Sequence, residues 1–167
     1  MAISYAFRRA VEQAVARFFA GTTGHRHDGT DGQGPLLATW QPWTPTVTQG
    51  GSVACTVTEA RYCLIGKVCH CYAHLAITGA GTIDNVIRVA NLPVAATPAY
   101  IGGDEVPIGV GHVLDAGTKR YPVLAYADSE GIRFQWPADG SYLGTDNAKF
   151  ALASGDRIGV TATYRVA

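Results

Sequence analysis

A twelve-residue segment rich in glycine and histidine limits what this chain can fold into. Residues 24–35 read Gly-His-Arg-His-Asp-Gly-Thr-Asp-Gly-Gln-Gly-Pro, with no large apolar side chain among them. Glycine costs backbone entropy in a helix or strand and has no side chain to bury, so neither element is expected here. A segment that cannot fold alone, yet is so particular in composition, predicts order supplied by partner chains. We therefore expect a subunit of a larger assembly.

Composition restricts the class of protein. Hydrophobic residues make up 47% of the 167 residues and charged residues 16%, which excludes a disordered chain. Thirteen basic residues balance thirteen acidic ones, and no basic stripe is present. Nucleic acid is therefore not an expected partner.

The first domain, residues 1–21, is predicted to be a short α-helix for anchoring or trimerisation. Phe7, Val11, Ala14 and Phe18 are spaced by four, three and four residues, which places them on one stripe. The same spacing is found in coiled coils. The stripe leaves two alternatives open: docking on another part of the structure, or packing against copies of itself.

Charged residues also interrupt this N-terminal segment. Arg8, Arg9, Glu12 and Arg17 leave no apolar run long enough for a signal peptide or for a membrane span of about 20 residues. We expect synthesis in the cytoplasm without a signal peptide, and no membrane insertion.

Residues 22–46 are predicted to form an extended neck. Pro42 and Pro45 bias the residues before them toward extended backbone. Trp40 and Trp43, beside these prolines, are interpreted as anchors that seat the neck on the following domain.

Residues 47–167 are predicted to be a β-sandwich or jelly-roll head. Glycine, proline and aspartate turn signals separate short apolar runs, and the last run alternates from Val160 to Val166. Eight or so short strands fit a sandwich or jelly roll. The predicted strands are 52–59, 62–78, 85–90, 106–114, 121–127, 131–136, 149–152 and 157–166.

Four cysteines lie in the strand-like region. Cys55, Cys63, Cys69 and Cys71 are interpreted as free thiols that pack as small apolar side chains. A zinc site formed by Cys69, His70, Cys71 and His74 is the alternative. Strand alternation argues against it, because it points those histidines away from Cys69 and Cys71.

Several motifs, in order, resemble a bacteriophage tail-fibre or head-fibre (receptor-binding) protein. They are the 25–35 segment, which is similar to an H-x-H-D-G-T-D-G-x-G-P stretch, then Trp43-Thr-Pro-Thr-Val-Thr, Tyr62-Cys-Leu-Ile-Gly-Lys-Val, Ile87-Arg-Val-Ala-Asn-Leu-Pro and Ser154-Gly-Asp-Arg-Ile-Gly-Val-Thr-Ala-Thr-Tyr-Arg. The resemblance implies a homotrimeric virion protein with an N-terminal anchor, a histidine-bearing neck and a jelly-roll head. Its anchor would contact other virion proteins of the capsid, portal, tail or baseplate. The near absence of a shaft favours a short spike, tail tip or head fibre.

The neck histidines suggest a metal site. His25 and His27 would point the same way on an extended chain, and three-fold symmetry would gather six imidazoles around one axis. Six nitrogens suit a transition metal such as iron or zinc. The alternative is that these histidines bond to neighbouring aspartates or backbone in a turn-rich collar.

Two functional classes follow. A receptor-binding head would recognise a polysaccharide or protein of the bacterial surface, with Tyr100, Trp136 and Tyr142 as candidate ligand-binding residues. A capsid or tail decoration or connector would instead only hold its neighbours together. A free-standing carbohydrate-binding β-sandwich is a further alternative. No catalytic motif is present, so an enzyme is not expected.

Overall fold

The computed structural model describes residues 5–18, 39–97 and 106–166. Contacts divide the chain into two units, Met1–Ala38 and Thr39–Ala167. In the first unit, helix α1 spans Tyr5–Phe18, as the apolar spacing predicts. On the predicted stripe, Val11 and Ala14 are exposed, while the side chains of Phe7 and Phe18 lie outside the described part. No helix in the described ranges is both long and apolar enough to cross a membrane.

The second unit is a single antiparallel sheet, so the chain is mainly β. The predicted 62–78 strand is wrong, because Gly66 adopts a positive φ of 57° and the chain turns there into a hairpin. The strands are β1 Gln41–Pro42, β2 Thr46–Thr48, β3 Ser52–Val53, β4 Cys55–Ile65, β5 Val68–Ile77, β6 Arg88–Ala90, β7 Gly109–Asp115, β8 Lys119–Ala127, β9 Gly131–Gln135 and β10 Arg157–Arg165.

The sheet is curled. Its strand order is β1-β4-β5-β10-β7-β8-β9-β6-β2-β3. Only Ala54 separates β3 from β4, so the strand at one end of this order continues into the strand beside the other end. The backbone of Ala54 also accepts hydrogen bonds from Thr78 and Gly79, which extends the β4–β5 pairing across the junction.

The connectivity contains two Greek keys. Strands β7, β8 and β9 follow one another as hairpins, and β10 returns to pair with β7. The second key counts β3 and β4 as one strand. Strand β2 pairs with β3, β4 pairs with β5, and β6 returns to pair with β2. The two keys meet where β5 pairs with β10 and where β9 pairs with β6.

The core lies on the inner face of this curled sheet. Along β10, Val160, Ala162 and Tyr164 are buried while Thr161 and Thr163 are exposed, as the alternating sequence predicts. The Tyr164 hydroxyl donates a 2.8 Å hydrogen bond to the backbone oxygen of Val94. This buried polar group is therefore satisfied.

The predicted strand at 149–152 is wrong, since no strand forms there. Instead the buried side-chain amide of Gln49 holds the segment by donating to the Phe150 oxygen at 2.7 Å and accepting from the Leu152 N–H at 2.8 Å. The side chain thus supplies the two bonds that a neighbouring strand would make. A short 3-10 turn, Asp146–Ala148, precedes this segment.

Candidate functional site

One row of residues crosses the outer face of four neighbouring strands. Glu59 on β4 pairs with His74 on β5, His74 pairs with Gly159 on β10, and Gly159 pairs with His112 on β7. Adjacent strands lie about 4.8 Å apart, so the Cα atoms of His74 and His112 lie about 10 Å apart, with Gly159 between them. The row places one histidine on each side of a glycine, which has no side chain.

The His112 ring occupies the space that is free because Gly159 has no side chain. A Cβ built on Gly159 would be 2.5 Å from the Cε1 atom of the His112 ring and 3.0 Å from its Nδ1 atom. The imidazole therefore leans over the bare backbone of β10. Any larger residue at position 159 would displace it.

Two arginines occupy the next row. Arg157 on β10 pairs with Leu114 on β7, which pairs with Arg120 on β8. Together with the first row they line an open cavity of about 560 Å³. We call it the histidine–arginine cavity and define it by Glu59, His74, His112, Arg120 and Arg157.

A β-bulge shapes the acidic side of this cavity. The register between β4 and β5 shifts between Val57 and Glu59, which leaves Thr58 as the extra residue. Thr58 and Glu59 both line the cavity. The carboxylate of Glu59 accepts a 2.6 Å hydrogen bond from the Tyr72 hydroxyl, and this bond raises the pKa of Tyr72.

Three rings form a continuous aromatic row that leads to the cavity. The ring centroids of Trp40 and Tyr72 are 5.3 Å apart, and those of Tyr72 and His74 are 6.3 Å apart, both edge to face. Trp40 is 49% exposed. The aromatic row therefore joins an exposed indole to one wall of the histidine–arginine cavity.

The electrostatics of the cavity disfavour a proton on His112. Partial burial lowers the pKa of His112, and the positive charges of Arg120 and His74 lower it further. Glu59 is the one carboxylate among the described lining residues, and it already accepts a bond from Tyr72. The cavity therefore carries excess positive potential.

Two of the residues predicted to bind ligand lie elsewhere on the unit. Trp136 packs edge to face on Tyr121. The Lys119 ammonium lies over the Trp136 ring, 3.9 Å from the ring centroid. Tyr142 lies under the Arg133 guanidinium at 4.7 Å, and its buried hydroxyl has no hydrogen-bond partner in the described part of the chain. Neither residue lines the histidine–arginine cavity.

The remaining predicted residues divide into described and undescribed positions. Trp43 is 6% exposed, and its indole N–H donates a 2.6 Å bond to the backbone oxygen of Asn91, so it belongs to the core. Trp40 lies on the outer face against Tyr72. Tyr100, His25 and His27 lie outside the described residues.

The cysteines lie as strand alternation predicts. Cys69 and Cys71 are buried in the core, whereas His74, on the same strand, faces outward. All four cysteines are free, three of them buried and Cys55 half-buried. Within the described ranges, no group of three or more His, Cys, Asp or Glu side chains is placed to hold a metal ion.

No family model, curated protein or solved structure matches this chain. The resemblance to phage fibres therefore rests on the motifs quoted above.

The histidine–arginine cavity was not predicted from sequence, because its members come from five strands. The one local signal was the alternation that turns His70 and His74 outward on β5.

Proposed function

We propose that this chain is the subunit of a short homotrimeric bacteriophage fibre or spike, at the tail tip or on the head, and that its β unit contributes to attachment to the bacterial surface. In this proposal the curled sheet is the jelly-roll head, and α1 anchors or trimerises the virion protein. The head binds and does not catalyse. The observation that carries the proposal is the histidine–arginine cavity with its aromatic row, a ligand-sized concavity on an outer face.

The helix supports the oligomeric part of the proposal. Val11 and Val15 are 46% and 51% exposed, although both are large apolar residues. Isolated helices of this length are marginal in water, and packing of an apolar stripe stabilises them. Three copies of α1 packed around one axis would bury Val11, which lies within the predicted stripe.

Light scattering on the full chain tests this part directly. We expect a mass near three times 17.6 kDa that persists on dilution. Val11→Asp, on the stripe, should dissociate the trimer, because it places a carboxylate in the packed seam. Ala16→Asp is the matched control, since it places the same carboxylate on the opposite side of the helix at a larger cost in helix propensity than Val11→Asp, and it should still leave the trimer intact. A monomeric mass for the unsubstituted chain at all concentrations would refute the trimer.

Attachment is tested by adsorption of the labelled full chain to a panel of bacterial cells. Saturable binding to some strains and not to others is expected of a receptor-binding head. Trimers that adsorb to none of the strains would favour the second candidate, a capsid or tail decoration or connector.

One observation favours that second candidate. The β4–β5 turn exposes two neighbouring apolar side chains, with Leu64 41% and Ile65 55% exposed. A connector would cover them with another virion protein. Loss of assembly, without loss of cell adsorption, in an Ile65→Ser variant would support that role.

A further inference from the structure

We propose that the histidine–arginine cavity binds the carboxylate of an acidic saccharide, whose neighbouring sugar rings lie on the aromatic row. This inference rests on the proposed function, of which it names the ligand class. It draws on side chains of five strands and on Trp40, to none of which the sequence motifs assign a ligand.

The cavity has the charge that a carboxylate requires. Two arginines and one glutamate line it, which leaves one net positive charge when both histidines are neutral. Among the described residues neither Arg120 nor Arg157 forms an ion pair, whereas Glu59 is held by Tyr72 and lies 3.9 Å from Arg61. Guanidinium groups are well suited to carboxylates because their planar N–H fork matches the two oxygens.

The backbone geometry leaves space between the charged groups. Arg157 and Arg120 are two strands apart, with Leu114 between them, so their Cα atoms stand about 10 Å apart. Gly159 adds no side chain to the floor between His74 and His112. The His112 ring covers Gly159, so the space for a carboxylate is the open cavity of about 560 Å³ that both arginines and both histidines line.

The neighbouring surface suits a sugar. Pyranose rings present C–H faces that pack on aromatic rings, and Trp40 offers a half-exposed indole at the end of the aromatic row. The volume of about 560 Å³ accommodates one or two sugar rings. A cation-lined cavity joined to an aromatic row thus fits an acidic sugar better than a free inorganic anion, which would use only the cavity.

Affinity is expected to rise as the pH falls. A bound carboxylate would face His112 on β7, His74 on β5, Arg157 on β10 and Arg120 on β8, with Glu59 on β4 as the opposing charge. Protonation of His112 is disfavoured in the free protein, and a bound anion would offset the repulsion from Arg120. Binding should therefore be coupled to proton uptake.

Calorimetric titration of the full chain with trigalacturonate tests the proposal. We expect saturable binding that is tighter at about pH 5.5 than at about pH 7.5. The trimethyl ester of the same trisaccharide keeps the sugar rings and loses the charges, so it should bind about tenfold more weakly. Inorganic phosphate alone should also bind more weakly, because it cannot use Trp40. No binding of trigalacturonate, or equal binding of the acid and the ester, would overturn the proposal, and so would phosphate that binds as tightly as the sugar.

Matched variants locate the site. Arg157→Gln removes a cavity guanidinium and should weaken trigalacturonate binding about tenfold. Arg165→Gln lies on the same strand, is equally exposed and is outside the cavity, so it should leave affinity unchanged. Trp40→Ala should weaken the acid and the ester alike. Thermal unfolding of each variant checks that the fold is kept, and equal affinity of the Arg157 and Arg165 variants would overturn the assignment.

The outcomes separate this inference from the proposed function. If the chain is trimeric and adsorbs to cells, but Arg157→Gln adsorbs equally well and trigalacturonate does not bind, the acidic saccharide is refuted and the fibre survives. If trigalacturonate binds through Arg157 while the chain is monomeric at every concentration, the cavity assignment stands and the trimeric fibre fails.

Discussion

The imidazole of His112 lies over the bare backbone of Gly159, where a Cβ on the glycine would be 2.5 Å from Cε1 of the ring. Gly159 has no positive φ, so backbone conformation does not require a glycine at this position. The contact with His112 is what favours it. The atom in the way belongs to the far end of a side chain that can rotate. The contact therefore constrains the position of one histidine much more than it constrains the stability of the sheet.

We predict that Gly159→Ala displaces His112 at little cost in stability. The imidazole can rotate away, so the unfolding free energy should change by less than about 1 kcal/mol. The His112 ring resonances should shift in NMR spectra, because the ring leaves its place over β10. Urea unfolding and side-chain NMR of the same sample measure the two effects.

Gly111→Ala is the matched control for this substitution. A Cβ on Gly111 would collide with the backbone oxygen of Gly159, which cannot move without disturbing the β7–β10 pairing. Overpacking against backbone should cost about 1–3 kcal/mol. Equal losses of stability in the two variants would contradict the distinction between a mobile ring and a fixed strand.

We predict that His112 makes the protein less stable as the pH falls. Its pKa in the folded chain lies below the ordinary 6.5, because of partial burial and the positive charges of Arg120 and His74. The unfolded chain therefore takes up the proton at a higher pH than the folded chain does. The contribution of the neutral ring is fully present above pH 6.5 and is lost as the pH falls from there through the folded pKa.

Urea unfolding of the natural chain and of His112→Gln across this pH range isolates the effect. The natural chain should lose more stability on acidification than the variant does, and Arg120→Gln should raise the pKa of His112 in an NMR titration. A pKa of His112 at or above 6.5 in the natural chain would show that the cavity does not repel the proton.

We predict that Gln49→Ala is strongly destabilising. The substitution leaves the buried oxygen of Phe150 and the buried N–H of Leu152 without their bonds to the amide. Each unsatisfied buried group costs about 1–3 kcal/mol, so two of them predict a loss of about 2–6 kcal/mol in unfolding free energy. Gln41→Ala is the control, since among the described residues its amide bonds to Thr39 alone, at the surface. A loss for Gln49→Ala no greater than that for Gln41→Ala would contradict the role of the buried amide.

We predict that the cysteines of the folded chain react slowly with a thiol-reactive aromatic disulfide. Cys69, Cys71 and Cys63 are 0%, 1% and 5% exposed, and burial raises the pKa of Cys63. Cys55 is half-buried and should react first, although burial raises its pKa as well. All four thiols should react at once in denaturant. Rapid reaction of more than one thiol in the native chain would show that the core opens around β5.

Local pattern was enough to predict the elements whose burial follows a fixed period. The spacing of Val11 and Ala14 predicted a helix in the region of α1, and the alternation from Val160 to Val166 predicted β10 and its buried face. Both patterns reflect the geometry of a single element, in which every third or fourth residue, or every second one, meets the same surroundings. The mainly β class follows from the same periodicity and from the turn residues.

The sequence pattern failed where a side chain or a glycine replaced regular structure. Residues 149–152 have the composition of a strand, but the Gln49 amide, about a hundred positions earlier, makes the bonds that a strand partner would make. The 62–78 run is mostly apolar on both sides of Gly66 and Lys67, so its hydrophobicity did not divide it at the turn.

The sequence by itself determined which residues of β5 and β10 face outward, because alternation is a property of one strand. It determined that His74 points away from Cys69 and Cys71, for example. Only the tertiary structure decided that His74, Gly159 and His112 share one row, because register and the order β5-β10-β7 arise from Greek-key pairings between distant segments. Those pairings depend on how the whole sheet curls around its core, and no short-range pattern in the chain encodes that curl.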